Sequence, residues 1–116
     1  MTSDSFQPVA MADKTAVIAS GQTTSGAIDL VGTALVGLFM PSAFTGTAVT
    51  FTAAATLTGT YLAVTDSTGA AVSATVAASK YVALSPTTFA GLRYVKLVSG
   101  SSEGADRTIT LATRPV

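Results

Sequence analysis

The stretch Tyr61-Leu62-Ala63-Val64-Thr65-Asp66-Ser67-Thr68-Gly69-Ala70-Ala71-Val72-Ser73-Ala74-Thr75-Val76-Ala77-Ala78-Ser79-Lys80-Tyr81-Val82-Ala83-Leu84 decides the fold. Leu62 and Val64 share one side of an extended chain, Asp66 to Gly69 carries turn residues, and Val72, Ala74 and Val76 resume the two-residue period. Val82 and Leu84 repeat it after a short break. The pattern predicts a β-hairpin leading into a third strand, all with one apolar face. Asp66 suits hydrogen bonding to the amides just ahead of it, and Gly69 suits the positive φ of a bulge after the turn.

Outward from this stretch the same period recurs. Towards the N-terminus, strands are expected over Lys14–Ser20, Ala27–Val31 and Ala34–Met40, and around Val49 and Phe51. Gly21 to Gly26 reads as a loop, and Pro41 to Gly46 as a turn with Phe44 plugging one end of the fold. Towards the C-terminus, Lys80–Leu84 stops at Ser85-Pro86, since proline cannot donate to a ladder. Pro86 to Gly91 is a compact crossover with Phe89 buried. In Arg93–Val98, Val95 and Leu97 point inward, while Tyr94 and Lys96 point outward and Arg93 reaches water at the sheet end. Ser99 to Arg107 is a polar surface loop, in which Glu103, Asp106 and Arg107 suggest a local salt bridge. Thr108–Thr113 is the last strand, with Ile109 and Leu111 inward. About eight short strands with turns at intervals of roughly ten residues predict an all-β fold. The expected form is a small antiparallel β-sandwich, jelly-roll or Ig-like, with a partly closed barrel as the alternative. Residues 14–116 form the domain, and residues 1–13 form a flexible N-terminal arm with Phe6 as its one bulky aromatic. A sharper expectation has that arm ordering on a neighbouring subunit.

The 116 residues include no cysteine and no histidine. Disulfides, thiolate chemistry, imidazole bases, Ser-His-Asp triads and the usual zinc ligands are thereby excluded. The five carboxylates from Asp13 to Asp106 show no catalytic spacing, and no phosphate-binding glycine motif occurs. An enzyme is not expected, nor any cofactor or metal. Charged residues make up 10% of the chain, six basic against six acidic, where soluble domains average about 25%. The neutral balance argues against nucleic acid, and no signal peptide or membrane-spanning run is expected. Weak self-repulsion favours self-association or a partner surface. Tyr61, Tyr81 and Tyr94 oppose their apolar neighbours in parity and, with Lys96, can line one face if their strands adjoin. Such a face serves first as cross-strand support, then as a protein interface, and last as a sugar platform.

Four stretches carry a family resemblance: Leu38–Gly46 (LFMPSAFTG), Tyr61–Gly69 (YLAVTDSTG), Phe89–Gly100 (FAGLRYVKLVSG) and Ala105–Leu111 (ADRTITL). In wording and order, from about Ala34 to Pro115, the chain resembles small virion-associated β-proteins of tailed bacteriophages and prophages. The loop Ser99 to Ala105 is short for that pattern. The resemblance implies a component of the particle exterior: a head decoration or cement protein, a head fibre, or a neck or tail accessory. It implies the major capsid protein or another virion protein as partner, and brings no catalytic residues. A carbohydrate-binding or host-adhesion module on the particle is the alternative function.

Overall fold

A computed structural model describes residues 14–115. Among them are nine strands and one helical turn: β1 (Lys14–Ile18), β2 (Ile28–Asp29), β3 (Thr33–Phe39), β4 (Ala48–Ala54), β5 (Leu62–Ala63), β6 (Ser73–Thr75), β7 (Tyr81–Ala83), α1 (Pro86–Phe89), β8 (Tyr94–Ser99) and β9 (Arg107–Pro115). The first sheet has the order β1-β9-β3-β7; in the second, β2, β8 and β4 are adjacent, and both β5 and β6 pair with the far edge of β4. Every strand pairing is antiparallel. The two sheets pack as a sandwich, and no closed barrel is seen. The arm, Phe6 included, lies outside the described residues.

Alternation drives the packing. Val49 and Phe51 of β4, Val95 and Leu97 of β8, and Ile109 and Leu111 of β9 are all essentially inaccessible to water. Residues of like parity on facing sheets interdigitate to exclude water, which is the main stabilising term in such a fold. Phe89 drops from α1 onto Phe51 in an edge-to-face contact, with ring centroids 4.9 Å apart, and Phe44 is buried at one end as its position in the turn segment predicts.

The deciding stretch keeps the expected hairpin only near its tip. Ala63 stands opposite Thr52 and Ser73 opposite Thr50, so β5 and β6 run in the same direction along one edge of β4. The nine residues from Val64 to Val72 therefore oppose a single position, Phe51. They form a small looped excursion: the Val64 amide donates to the Phe51 carbonyl, the Val72 amide donates to the Val64 carbonyl, and Thr65 bridges Ala71. At its tip Asp66 Oδ1 accepts from the Thr68 amide (2.8 Å), the Thr68 hydroxyl (2.6 Å) and the Ala70 amide (3.1 Å), while Gly69 takes φ +88°. The turn chemistry and the pairing of the residues beside the turn, Val64–Asp66 with Ala70–Val72, are as predicted; further out the legs part, and β5 and β6 pair with β4 instead of each other. Leu62 has the inward parity expected of it, yet it is 66% exposed, because nothing in the opposite layer covers the end of that edge. The third strand, β7, belongs to the other sheet.

Glu103 is the other departure. Within a loop that reads as surface, its side chain is wholly buried. Its carboxylate accepts from the Thr45 amide (3.0 Å), the Thr45 hydroxyl (2.9 Å), the Gly46 amide (3.1 Å) and Arg107 Nε (2.9 Å). Its own carbonyl accepts from the Gly21 amide, so three loops meet on one residue. Burial pushes the carboxyl up, but the donors from Arg107, Thr45 and Gly46 outweigh it and hold the group below its ordinary range.

Candidate functional site: an aromatic and cationic sheet face

Three of the sequence-selected residues come together on the outer face of the β2-β8-β4 sheet. Tyr94 pairs with Ala54 of β4 on one side and with Asp29 of β2 on the other. Continuing the β4-β5 register past Leu62 puts Tyr61 opposite Ala54 as well. The row thus reads Tyr61, Ala54, Tyr94, Asp29 across the sheet. Ala54 is almost fully covered although it faces outward, as expected when two tyrosines flank a methyl group. One step along, Lys96 pairs with Thr52, which pairs with Ala63.

Cations are stacked on both rings. Lys96 Nζ lies 4.3 Å from the Tyr61 ring centroid, and the Arg93 guanidinium carbon lies 4.9 Å from that of Tyr94. Both distances fall inside the range of cation–π attraction. The Tyr61 hydroxyl donates to the Leu57 carbonyl at 2.8 Å, which ties down the end of the ring. Arg93 also pairs with Asp29 through Nε–Oδ1 at 2.8 Å and Nη2–Oδ2 at 3.3 Å. That hydrogen bond holds the Asp29 carboxyl below its usual range. The hydroxyl oxygen of Thr52 is shut off from water with no hydrogen-bond partner, as expected where side chains lie across the strand rather than stand off it. The result is a half-buried patch of two oriented rings, two cations and one paired carboxylate, with Arg93 its exposed member.

Tyr81 is elsewhere. It lies on the outer face of the other sheet, where it pairs with Phe39 and the two rings are 4.6 Å apart. Its hydroxyl points to the Val36 carbonyl at 3.4 Å. The ring lies over Gly37, where a β-carbon would occupy the space of the Tyr81 phenol. Arg93 and Asp29 were not singled out for this face by their sequence; their cue would have been the β2-β8 register, which periodicity does not supply.

The remaining carboxylates are used in turns and clasps. Asp66 holds the excursion tip, Glu103 holds Arg107 and the Thr45-Gly46 loop, and Asp106 Oδ1 accepts from the Ser20 amide at 2.8 Å. Among the described residues, no group of three or more acidic side chains gathers in a metal-binding arrangement, and no helix is long and apolar enough to cross a membrane. Among the described residues, a cleft of about 290 Å³ lined by Ala53, Ala54, Ala55, Gly91, Leu92 and Arg93 borders the patch, and a second cleft lies away from it between β6 and β7. No family model matches the chain, and neither the curated proteins nor the solved structures contain a significant match.

Proposed function

We propose that this chain is a non-enzymatic structural protein of a tailed-phage particle, attached to a protein partner by the outer face of the β2-β8-β4 sheet. The observation that carries the reading is the patch of Tyr61 and Tyr94, each with a cation on its ring. Tyrosine and arginine are enriched at protein interfaces, where a large ring area is buried at little cost in side-chain entropy. Here Tyr61 is held by a hydrogen bond and both rings by a stacked cation, so docking immobilises little more. A row of rings across a sheet also presents to a protein surface rather than enclosing a small ligand.

The particle assignment rests on the resemblance of the four stretches, two of which build this patch. Tyr61–Gly69 contains β5 and supplies Tyr61; Phe89–Gly100 contains β8 and supplies Arg93, Tyr94 and Lys96. The major capsid protein is the favoured partner, with decoration or stabilisation of the capsid surface as the role.

The test is the copy number of the protein per purified particle, by quantitative mass spectrometry against the major capsid protein, with wild type and a Tyr61→Ser/Tyr94→Ser variant. Hundreds of copies of wild type and few of the variant, both folded by circular dichroism, are expected. Absence of the wild-type protein from particles overturns the virion assignment. Equal occupancy of the variant overturns the choice of face.

A further inference from the structure

The edges of the two sheets are not equally guarded. On the β1 and β2 flank the chain itself fills the gap: the Gly26 amide donates to the Val17 carbonyl, the Ser25 amide to the Leu97 carbonyl, and the Ser99 amide to the Thr23 carbonyl. On the other flank, β5 is only two residues long, and β6 shows water the polar side chains of Ser73 and Thr75. β7 is different. It is the free edge of the first sheet and carries no proline and no charged residue. The Leu84 amide donates to the Val36 carbonyl, and the Lys80 carbonyl accepts from the Met40 amide. Lys80, Val82 and Leu84 thus turn their backbone groups to β3, and by strand alternation Tyr81 and Ala83 turn theirs off the sheet. Among the described residues nothing pairs with those two amides and two carbonyls. The surface beside them is apolar. On the outer face Phe39 and Tyr81 are each 49% exposed. On the inner side Val82 and Leu84 wall an open cleft of about 410 Å³, shared with Val72, Ala74 and Phe89. Most proteins avoid an edge of this kind, because it is a template for pairing.

We infer that β7 is the pairing edge of a symmetric dimer, in which β7 of a second copy runs antiparallel to it about a two-fold axis at Val82. The register follows from the backbone. Because alternate residues face outward, the two edges can match only where an outward residue meets an outward residue. Centring on Val82 uses both: Tyr81 of each copy stands opposite Ala83 of the other, and each such pair exchanges two hydrogen bonds. Centring on Tyr81 would bring in Ser79, which has left the strand at φ +61°. Centring on Ala83 would bring in Ser85, whose carbonyl already accepts from the Thr88 amide. Charge fits the same register, since Lys80 falls opposite Leu84 of the second copy and no like charges face each other across the pair. So does shape. The large Tyr81 ring meets a small Ala83 on the outer face, and on the inner side Val82 meets Val82 of the second copy at the mouth of the cleft. The contact is isologous, joins the two four-stranded sheets into one, and meets little repulsion in a chain of zero net charge. One short strand with its flanking side chains falls well below the roughly 800 Å² per partner of a standard interface, so the dimer forms and dissociates reversibly in the high-micromolar range. This inference does not depend on the virion assignment or on the β2-β8-β4 face.

Because the chain has no cysteine, a single introduced cysteine reports the register without background. In a non-hydrogen-bonded antiparallel pair the α-carbons are about 4.5 Å apart, within reach of a disulfide. Full-length Val82→Cys in a glutathione redox buffer should therefore give several-fold more covalent dimer than Ala83→Cys, whose counterpart lies two residues further along the partner strand. Sedimentation equilibrium of the unmodified chain should show an average mass that rises with concentration from one chain towards two. Ala83→Pro removes an amide that bonds nothing within its own chain, so the fold should persist, which circular dichroism checks. It deletes two hydrogen bonds per dimer and should weaken association about tenfold, whereas Thr75→Pro on β6 should leave association unchanged. A wild-type chain that stays monomeric at millimolar concentration overturns the inference. Equal covalent dimer from the two cysteine variants, or equal weakening by the two prolines, overturns the choice of edge and register.

Discussion

Replacing Glu103 with alanine is the sharpest test of how the loops are held. The substitution removes a carboxylate that accepts four hydrogen bonds and leaves the Thr45 and Gly46 donors without their acceptor. It also strands the guanidinium of Arg107, whose side chain is only 16% exposed. Removing one partner of a buried pair typically costs about 3–5 kcal/mol. Arg107 retains some access to water, so we take the lower end, about 3 kcal/mol. At about 4 °C per kcal/mol for a domain of this size, the melting temperature should fall by about 12 °C. The fold should survive, since domains generally hold about 5–15 kcal/mol. Urea and thermal unfolding followed by circular dichroism read the effect. A double-mutant cycle with Arg107→Ala isolates the pair, whose coupling should be at least about 1 kcal/mol. The pH dependence has a definite sign. The folded carboxyl titrates below the unfolded one, so its stabilisation is complete above the ordinary glutamate range and is lost as pH falls through the lower folded value. The stability gap between wild type and Glu103→Gln should therefore narrow on acidification below about pH 4. Two results would refute the reasoning: a Glu103→Ala melt indistinguishable from wild type, or a gap that does not close in acid.

Val95 is fully buried in the middle of β8, so Val95→Asp places an unpaired charge in the core and should cost more than about 4 kcal/mol; an unaltered melt would exclude the inward assignment. Gly37→Ala should displace the Tyr81 ring from the sheet and cost about 1 kcal/mol, the scale of one aromatic pair with its hydrogen bond. The same change in a Tyr81→Ala background should cost much less, and equal costs in both backgrounds would show that the ring does not rest on Gly37.

The layers were legible in the sequence because alternation reports which side of a strand meets the core. Val95 and Leu97 against Tyr94 and Lys96 is the clearest case, with Ile109 and Leu111 close behind. Pairing was not legible, because a two-residue period is silent about the neighbour. The Asp66–Gly69 turn and the short pairing beside it were read correctly, yet β5 and β6 beyond it lie end to end along β4. Parity also fails to guarantee cover, as Leu62 shows: burial needs an opposing residue, and only the fold determines whether one is present. For the candidate face, Tyr61, Tyr94 and Lys96 were found by parity, while the separation of Tyr81 onto the other sheet required the strand order. The local salt bridge of Glu103 with Arg107 was read from the loop, but the burial of Glu103 was not, because it depends on Thr45 and Gly46, 58 and 57 residues away, and no local pattern encodes that distance.

The looped excursion of the β4 edge strand has a consequence for a protein with so little charge. A long, straight strand edge is a template for unwanted pairing, and most proteins guard it with lysines or net repulsion. Here β5 and β6 are only two and three residues long, and the nine residues from Val64 to Val72 interrupt the edge between them. An incoming strand finds no continuous ladder to extend. Solubility on that edge is thus a property of backbone geometry, and the Ser67–Gly69 tip is a natural insertion point, since each flanking piece takes its register from β4 and not from the other.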